Sequence, residues 1–280
     1  MRVNRPVITF FALTYLFSWL MWLPAVLMTY GMVAEASFLG RISGPTGYLA
    51  GIGPTLVAFI LVARDRGKNG VKGLLARGVQ FKLGRWYWIT ILTMPVVLIS
   101  AHVLNTLFGS SFPNTGGLAQ PYLIPPLFLI LFIMQLGEEF GWRGFALDEL
   151  QQTWGAVHAS VVLGVLWSLW HIPMFLANGF GQHDYRLPFG QFLITLVLVS
   201  ILIAWVQNNT GGSLIPAFVF HTYINLSGEV LPLIERNREI QGDYTAWIIA
   251  NVLFTIVVSG VVYRWGARTL TGRGRTRATE

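Results

Sequence analysis

The chain has 280 residues, of which 54% are hydrophobic, 14% aromatic and only 11% charged. Soluble domains carry about 25% Asp, Glu, Lys and Arg, so the composition excludes a soluble globule and a disordered chain and points to a polytopic helical membrane protein. The 19 basic residues outnumber the 12 acidic ones, yet their positions speak for membrane topology and against a nucleic-acid partner; the absence of cysteine excludes disulfides, thiolate metal sites and thiol nucleophiles.

The first apolar run covers residues 7–33 behind Arg2 and Arg5. Ala34-Glu35-Ala36 imitates a signal-peptidase site, but the run far exceeds a signal core of about 7–15 residues, so it reads as an uncleaved span. The second run, 45–63, carries Gly47 and Gly51 in the G-x-x-x-G spacing that permits close helix contact. A basic connector, 64–85, follows on the cytoplasmic side. Val71, Leu74, Leu75 and Val79 share one helical face there, and the segment reads as a short interfacial helix or a polybasic loop. A third span, 86–108, opens with Trp86, Tyr87 and Trp88 as an aromatic belt. A Gly/Pro/Ser/Asn loop occupies 109–121. Span four covers 122–140, with helix extending toward 150; spans five to eight cover 156–177, 189–206, 214–234 and 246–265, and a basic tail occupies 266–280. No internal repeat is visible. The expected fold is all-α: one transmembrane domain over 1–280 with about eight membrane helices.

Charge asymmetry orients this bundle. Fourteen of the 19 basic residues fall before span one, between spans two and three, or after span eight: Arg2, Arg5, Arg64, Arg66, Lys68, Lys72, Arg77, Lys82, Arg85, Arg264, Arg268, Arg273, Arg275 and Arg277. The opposite loops hold Arg41, Arg186, Arg236 and Arg238. With an even span count, the positive-inside rule puts both termini in the cytoplasm.

Ionisable groups inside apolar spans are costly to insert and mark function by default. Three clusters qualify. Gly137-Glu138-Glu139-Phe140-Gly141-Trp142-Arg143 ends span four. Glu139 and Arg143, four apart on a helix, can form an ion pair, while Glu138 points about 100° away and lacks that local partner. A free carboxylate in poorly solvated surroundings suits a general base. Span five contains Trp167 and His171 on one helix face, with Pro173 expected to kink the helix just beyond. Span seven contains His221 and Asn225 one turn apart, and imidazole and amide N–H groups are suitable donors to a developing oxyanion. Each piece alone fits a solvated helix end or interhelical bonding; together they compose a base with oxyanion donors. His102 and His158 read as packing residues, and His183 and Asp184 as solvated loop residues. Glu229 is either a cavity wall or an outer-surface residue.

These residues resemble the motifs of the CAAX-protease and bacteriocin-processing family (the Abi or Rce1-like group) of intramembrane proteases. That family shows Glu-Glu-x-x-x-Arg, aromatic-x-x-x-His and His-x-x-x-Asn, each on its own helix of an eight-helix bundle. The chain supplies Glu138-Glu139-x-x-x-Arg143, Trp167-x-x-x-His171 and His221-x-x-x-Asn225 in that order, over about a third of its length. The family's second motif more often begins with Phe, and Trp167 keeps the aromatic character. The resemblance implies that Glu138 activates the attacking water, His171 assists it, and His221 and Asn225 stabilise the oxyanion. Glu139, Arg143 and Trp167 are then supports. Glu138, His171 and His221 also match a His₂Glu zinc set; a metal-free mechanism is favoured because Glu138 cannot act as base while ligating zinc.

The expected activity is a CAAX-prenyl-protease-like intramembrane endopeptidase with a cytoplasm-facing cavity. Its partners would be membrane lipids and a peptide or membrane-associated protein, lipidated or bacteriocin-like, in a bacterial or archaeal cell membrane. The alternatives are a non-catalytic immunity or binding protein using the same cavity and, more remotely, a proton-coupled transporter. On paper the depths conflict: helix rise puts Glu138 and His221 in the cytoplasmic half but His171 roughly 22 Å from its helix start. Span five therefore starts later than 156, or its beginning lies outside the bilayer.

Overall fold

The computed structural model describes residues 5–81, 83–110, 120–184, 186–233 and 244–272, and every regular element among them is helical. Arg2, Lys82, Arg236, Arg238, Arg273, Arg275 and Arg277, most of the 109–121 loop and the end of the seventh run lie outside the described residues. In chain order α1 (Arg5–Thr29) is followed by α2 (Phe38–Ala50), α3 (Gly53–Gly78) and α4 (Trp86–Thr106). A 3-10 turn (Pro121–Leu123) leads into α5 (Ile124–Gly141), a π turn (Trp142–Ala146) and α6 (Leu147–Trp154). Then come α7 (Ala156–Trp170), α8 (Ile172–Leu176), α9 (Gly181–Asp184), α10 (Phe189–Asn209), α11 (Ile215–Val230) and α12 (Thr245–Trp265).

Each apolar run of the sequence is realised as helix. Six helical stretches are long and apolar enough to cross a membrane, and α2 with α3, bent by 56°, makes a seventh if counted as one span. The remaining run is α11, 16 residues long and mostly buried among its neighbours. Large apolar side chains stay exposed along α1, α4, α5 and α12, including Ile8, Leu16, Val96, Ile130, Ile133, Val252 and Ile256. Outward apolar faces on spanning-length helices are those of an integral membrane protein.

The second run departs most from expectation. It straddles the break between α2 and α3, where Pro54 occupies the first turn of α3. Gly47 and Gly51 do not form a helix-contact ridge. A Cβ on Gly47 would meet only a Phe180 ring atom, at 3.6 Å, and Gly51 lies at the break itself. The close approach is made by Gly137 and Gly141 on α5, whose added Cβ atoms would lie 3.1 Å from the Gly51 carbonyl oxygen and 2.4 Å from the Pro54 backbone. Glycine lets α5 pass directly against the broken span, and Thr55 adds a hydrogen bond from Oγ1 to the Leu136 carbonyl at 2.7 Å. The expected connector helix exists, but as a continuation of α3 beyond a break at Gly67 (φ 59°). Of its apolar face Leu74 is buried, whereas Leu75 and Val79 are exposed.

The depth conflict has a structural answer. The rod containing Glu138 runs unbroken to Trp154, reverses at Gly155 (φ 73°) and returns as α7 from Ala156. Glu138 thus stands roughly 24 Å before the reversal and His171 roughly 22 Å after it. Span five does start at Ala156; it is span four that was drawn too short. The described start of the tail also has a defined place. The carbonyls of Arg268 and Ala267 accept from the N–H groups of Ala156 and Val157 (2.8 and 3.1 Å), filling orphan donors at the start of α7.

Trp86, Trp205 and Trp265 meet at this end of the bundle with ring centroids 4.9–6.2 Å apart. Of the expected aromatic belt, Trp86 has therefore turned inward, while Tyr87 and Trp88 are exposed. Arg66 pairs with Glu149 and Arg77 with Asp148 at the same end, tying α3 to α6.

Gly141→Ala should lower the thermal midpoint of the detergent-solubilised protein by the equivalent of about 1–3 kcal/mol, because a methyl group cannot fit against Pro54. Gly260→Ala, on α12 with open space around it, should leave the midpoint unchanged or slightly raised.

Candidate active site

Consecutive helical residues diverge by about 100°, so Glu138 and Glu139 enter different surroundings. Glu139 is fully buried. Its Oε1 accepts from Nη1 of Arg143 (2.8 Å), as the i, i+4 spacing predicts, and also from Nδ1 of His221 on α11 (2.8 Å). Glu138 differs from expectation in having a local partner. Its Oε2 accepts from Nε1 of Trp142, one turn on, at 3.1 Å, and from Nε1 of Trp167 on α7 at 2.9 Å. Both donors are neutral, so they hold the carboxylate in place without cancelling its charge. Oε1 takes part in neither bond.

Trp167 joins the parts of the site. Its N–H binds Glu138 and its carbonyl accepts from Nδ1 of His171 (2.8 Å). Its ring lies 4.9 Å from the His221 ring and 4.1 Å from the Arg143 guanidinium carbon. A buried guanidinium over an indole face is a favourable cation–π arrangement. The residue expected only as an aromatic support is thus bonded or stacked to four polar groups of the cluster.

α7 ends at Trp170, and His171 occupies the break before α8. Pro173 sits in the first turn of α8, starting a new helix instead of kinking a continuous one. Because a carbonyl can only accept, the bond to Trp167 places a proton on Nδ1 of His171 and leaves the lone pair of the neutral ring on Nε2. Trp170 and Phe192 flank this ring with centroids 4.8 and 5.1 Å away. His221 is oriented in the same sense, its Nδ1 facing the Glu139 carboxylate and its Nε2 turned away.

Asn225 stands one turn beyond His221, exposed, in the wall of a cavity of about 550 Å³. Phe192, Met174, Thr195, Trp247 and Glu229 line the same cavity. Glu138, His171 and His221 are not among the residues that line it, but Phe192, which does, packs its ring 5.1 Å from the His171 ring. The cavity occupies the end of the bundle opposite Trp205, Trp265 and the paired arginines, being formed by the start of α10, the ends of α11 and α9, and the start of α12. Glu229 is therefore a cavity residue. Asp184 is one too, its Oδ1 facing the Gly179 N–H (3.1 Å) and Nδ1 of His183 (3.3 Å), so the pair is not simply solvated. His102 packs as expected, with Nε2 3.2 Å from the Leu231 carbonyl oxygen, whereas His158 is exposed at the start of α7.

No group of three or more His, Cys, Asp or Glu among the described residues is arranged to hold a metal ion.

Residues 119–227 match the family described as type II CAAX prenyl endopeptidase, Rce1-like. Over this segment the chain is similar to that family. The matched segment begins just before α5 and ends in α11, so it holds every member of the polar cluster from Glu138 to Asn225. CAAX prenyl protease 2 of Methanococcus maripaludis is 27% identical over 263 residues, covering 91% of this chain and 92% of that protein. The likeness supports an intramembrane endopeptidase of the CAAX-prenyl-protease kind.

Sequence reasoning passed over two features of this polar cluster. Trp142 was readable, since it follows Glu138 by the same four residues that separate Glu139 from Arg143. The π turn was not, because no side-chain pattern announces it; its Arg143 and Gly144 carbonyls accept from the side chains of Gln207 and Arg77, both at 3.1 Å. Arg143→Met should destabilise the protein by about 3–5 kcal/mol, since it strands a buried carboxylate. Adding Glu139→Gln should restore part of that loss in a thermal double-mutant cycle, and additive losses would show that the pair is not coupled.

Proposed function

We propose that this protein is an intramembrane endopeptidase in which Glu138 is the general base. The observation that supports this reading most is the state of the two carboxylates: Glu139 is matched to a guanidinium, whereas Glu138 is held only by neutral indole donors beside two imidazoles. Glu138 takes a proton from water, and Nε2 of His171 accepts a hydrogen bond from the same water and aligns it. The hydroxide adds to the scissile carbonyl. The amide of Asn225 and Nε2–H of His221 receive the oxyanion. Nδ1–H of His221 stays committed to Glu139, so donation to the oxyanion falls to the other ring nitrogen. Collapse of the tetrahedral adduct breaks the C–N bond, and the proton held by Glu138 passes to the leaving amine. The mechanism proposed is metal-free.

The substrate class proposed is a membrane-associated peptide or protein, lipidated or bacteriocin-like, in a cell membrane that holds both termini on the cytoplasmic side. This orientation places the 550 Å³ cavity on the opposite side. A basic cytoplasmic end and a cytoplasm-facing cavity therefore do not go together for this cavity, and the orientation proposed follows the charges. One observation favours a second reading, a non-catalytic binding protein: Asn225 lines the cavity whereas Glu138 does not.

A quenched-peptide library in detergent, with and without chelator, separates the two readings. Wild-type protein should cleave in both conditions. Glu138→Gln should keep its melting temperature and lose about 10²–10⁴-fold in turnover; full activity in that variant contradicts the mechanism. Because the chain lacks cysteine, single probes report orientation cleanly. Gln182→Cys should react with an impermeant maleimide in intact cells, and Arg268→Cys only after permeabilisation.

A further inference from the structure

The segment that matches the family begins at residue 119, so α1 lies wholly outside it. One face of α1 nonetheless packs against the surroundings of both groups proposed to activate water. The rings of Phe10 and Phe11 lie on Trp142, the donor to Glu138, with centroids 5.5 and 6.0 Å away. One turn further along, two polar side chains reach the helix break that holds His171. Tyr15 Oη donates to the Leu166 carbonyl (2.5 Å) and Trp19 Nε1 to the Trp170 carbonyl (3.0 Å). Donors and acceptors are each four residues apart, so the two bonds together set the register of α1 along α7. Trp22 extends the contact, its ring 4.6 Å from that of Trp170.

The bond from Trp19 answers a shortage that the break creates. In a continuing helix the Trp170 carbonyl would receive the Met174 N–H, and the Trp167 carbonyl that of His171. Here Met174 N–H goes to the His171 carbonyl (2.8 Å) and His171 N–H to the Ser168 carbonyl (3.1 Å). The Trp167 carbonyl is thereby left to Nδ1 of the His171 ring. The Trp170 carbonyl needs a donor from another element, since an apolar interior offers no water to replace the lost one. Trp19 supplies it. The Trp170 C=O and the His171 N–H belong to one peptide plane, so Trp19 pins one edge of that plane and Ser168 the other. We infer that Trp19, with Tyr15 one turn before it, is a positioning residue for His171. This rests on the peptidase reading above, in which Nε2 of His171 aligns the attacking water. Without the indole N–H the plane turns, Nδ1 leaves the Trp167 carbonyl, and the lone pair on Nε2 is no longer held toward the water. Trp19 is 40% exposed and does not line the cavity, so its loss acts on the chemical step and leaves substrate binding alone.

The test uses the full-length protein in detergent with the quenched-peptide library. Trp19→Phe should lower kcat per folded molecule about tenfold while KM stays within about twofold. Replacing Trp19 by benzothienylalanine keeps the bicyclic ring, removes only the N–H, and should give the same loss. Leu20→Ala, at the neighbouring exposed position of α1, should keep the wild-type kcat. Wild-type kcat in either Trp19 variant, or an equal loss in Leu20→Ala, overturns the positioning role. A second readout needs no turnover. In protein with ¹⁵N-labelled histidine, the His171 ring signal is assigned by its disappearance in His171→Ala. The wild-type ring should carry its proton on Nδ1, and Trp19→Phe should populate both tautomers. A His171 tautomer that ignores Trp19→Phe overturns the positioning role as well. A tautomer that depends on Trp19, in a wild-type protein that cleaves no peptide, leaves the positioning standing and overturns the peptidase reading instead.

Discussion

A carboxylate sealed from solvent inside a membrane protein must be matched by donors held in place, and Glu139 is such a group. Arg143 and His221 both donate to one of its oxygens, the first from the next turn of the same helical rod and the second from α11. Removing Arg143 would leave a buried charge without its guanidinium partner, which is far more costly than losing a surface ion pair. The requirement therefore fixes more than one bond. It sets the register of α11 against α5, and it lays the Arg143 guanidinium over Trp167, which positions α7 as well. Three helices that share little sequence distance are locked at one level by one charge.

Glu138 inherits its geometry from that lock. With Trp167 placed by Arg143 and Trp142 placed by the π turn, two indole N–H groups converge on one of its oxygens. The difference between the adjacent glutamates thus arises from helix geometry, which turns one toward cations and the other toward neutral donors. The buried tryptophans have a second effect. Trp142, Trp167 and Trp170 are almost fully enclosed and surround the site with polarisable but weakly solvating matter. There a base and an oxyanion donor act more strongly than they would in water.

Much of this arrangement was legible in the sequence because apolar runs near 20 residues and rare polar groups inside them are signals that a membrane enforces. All eight runs are helical, and the Glu139–Arg143 pair follows from spacing alone. In the helix map the departures are places where helix continuity and hydropathy do not coincide. The break at Gly51–Ile52 lies within an apolar run, so that run read as one straight span. The rod through Glu138 continues from α5 into α6, where Asp148 and Glu149 make the chain polar although the helix goes on. Tertiary pairing also escaped the sequence. Nothing local shows that His221 reaches Glu139, and Trp167 N–H could have served many acceptors. Asn225 was placed with the catalytic groups by its motif; the structure puts it one turn out, on the cavity wall.

In the proposed mechanism Glu139 is a support and Glu138 the reacting group, although the two are neighbours of identical chemistry. The most direct measurement is the turnover and thermal midpoint of Glu139→Gln, taken side by side on the same preparation. Glutamine keeps an acceptor for Arg143 and His221 but removes their counter-charge. The account predicts a lowered midpoint with turnover per folded molecule reduced yet well above that of a protein lacking the Glu138 carboxylate. A Glu139→Gln protein that melts like wild type and has no detectable turnover would contradict it.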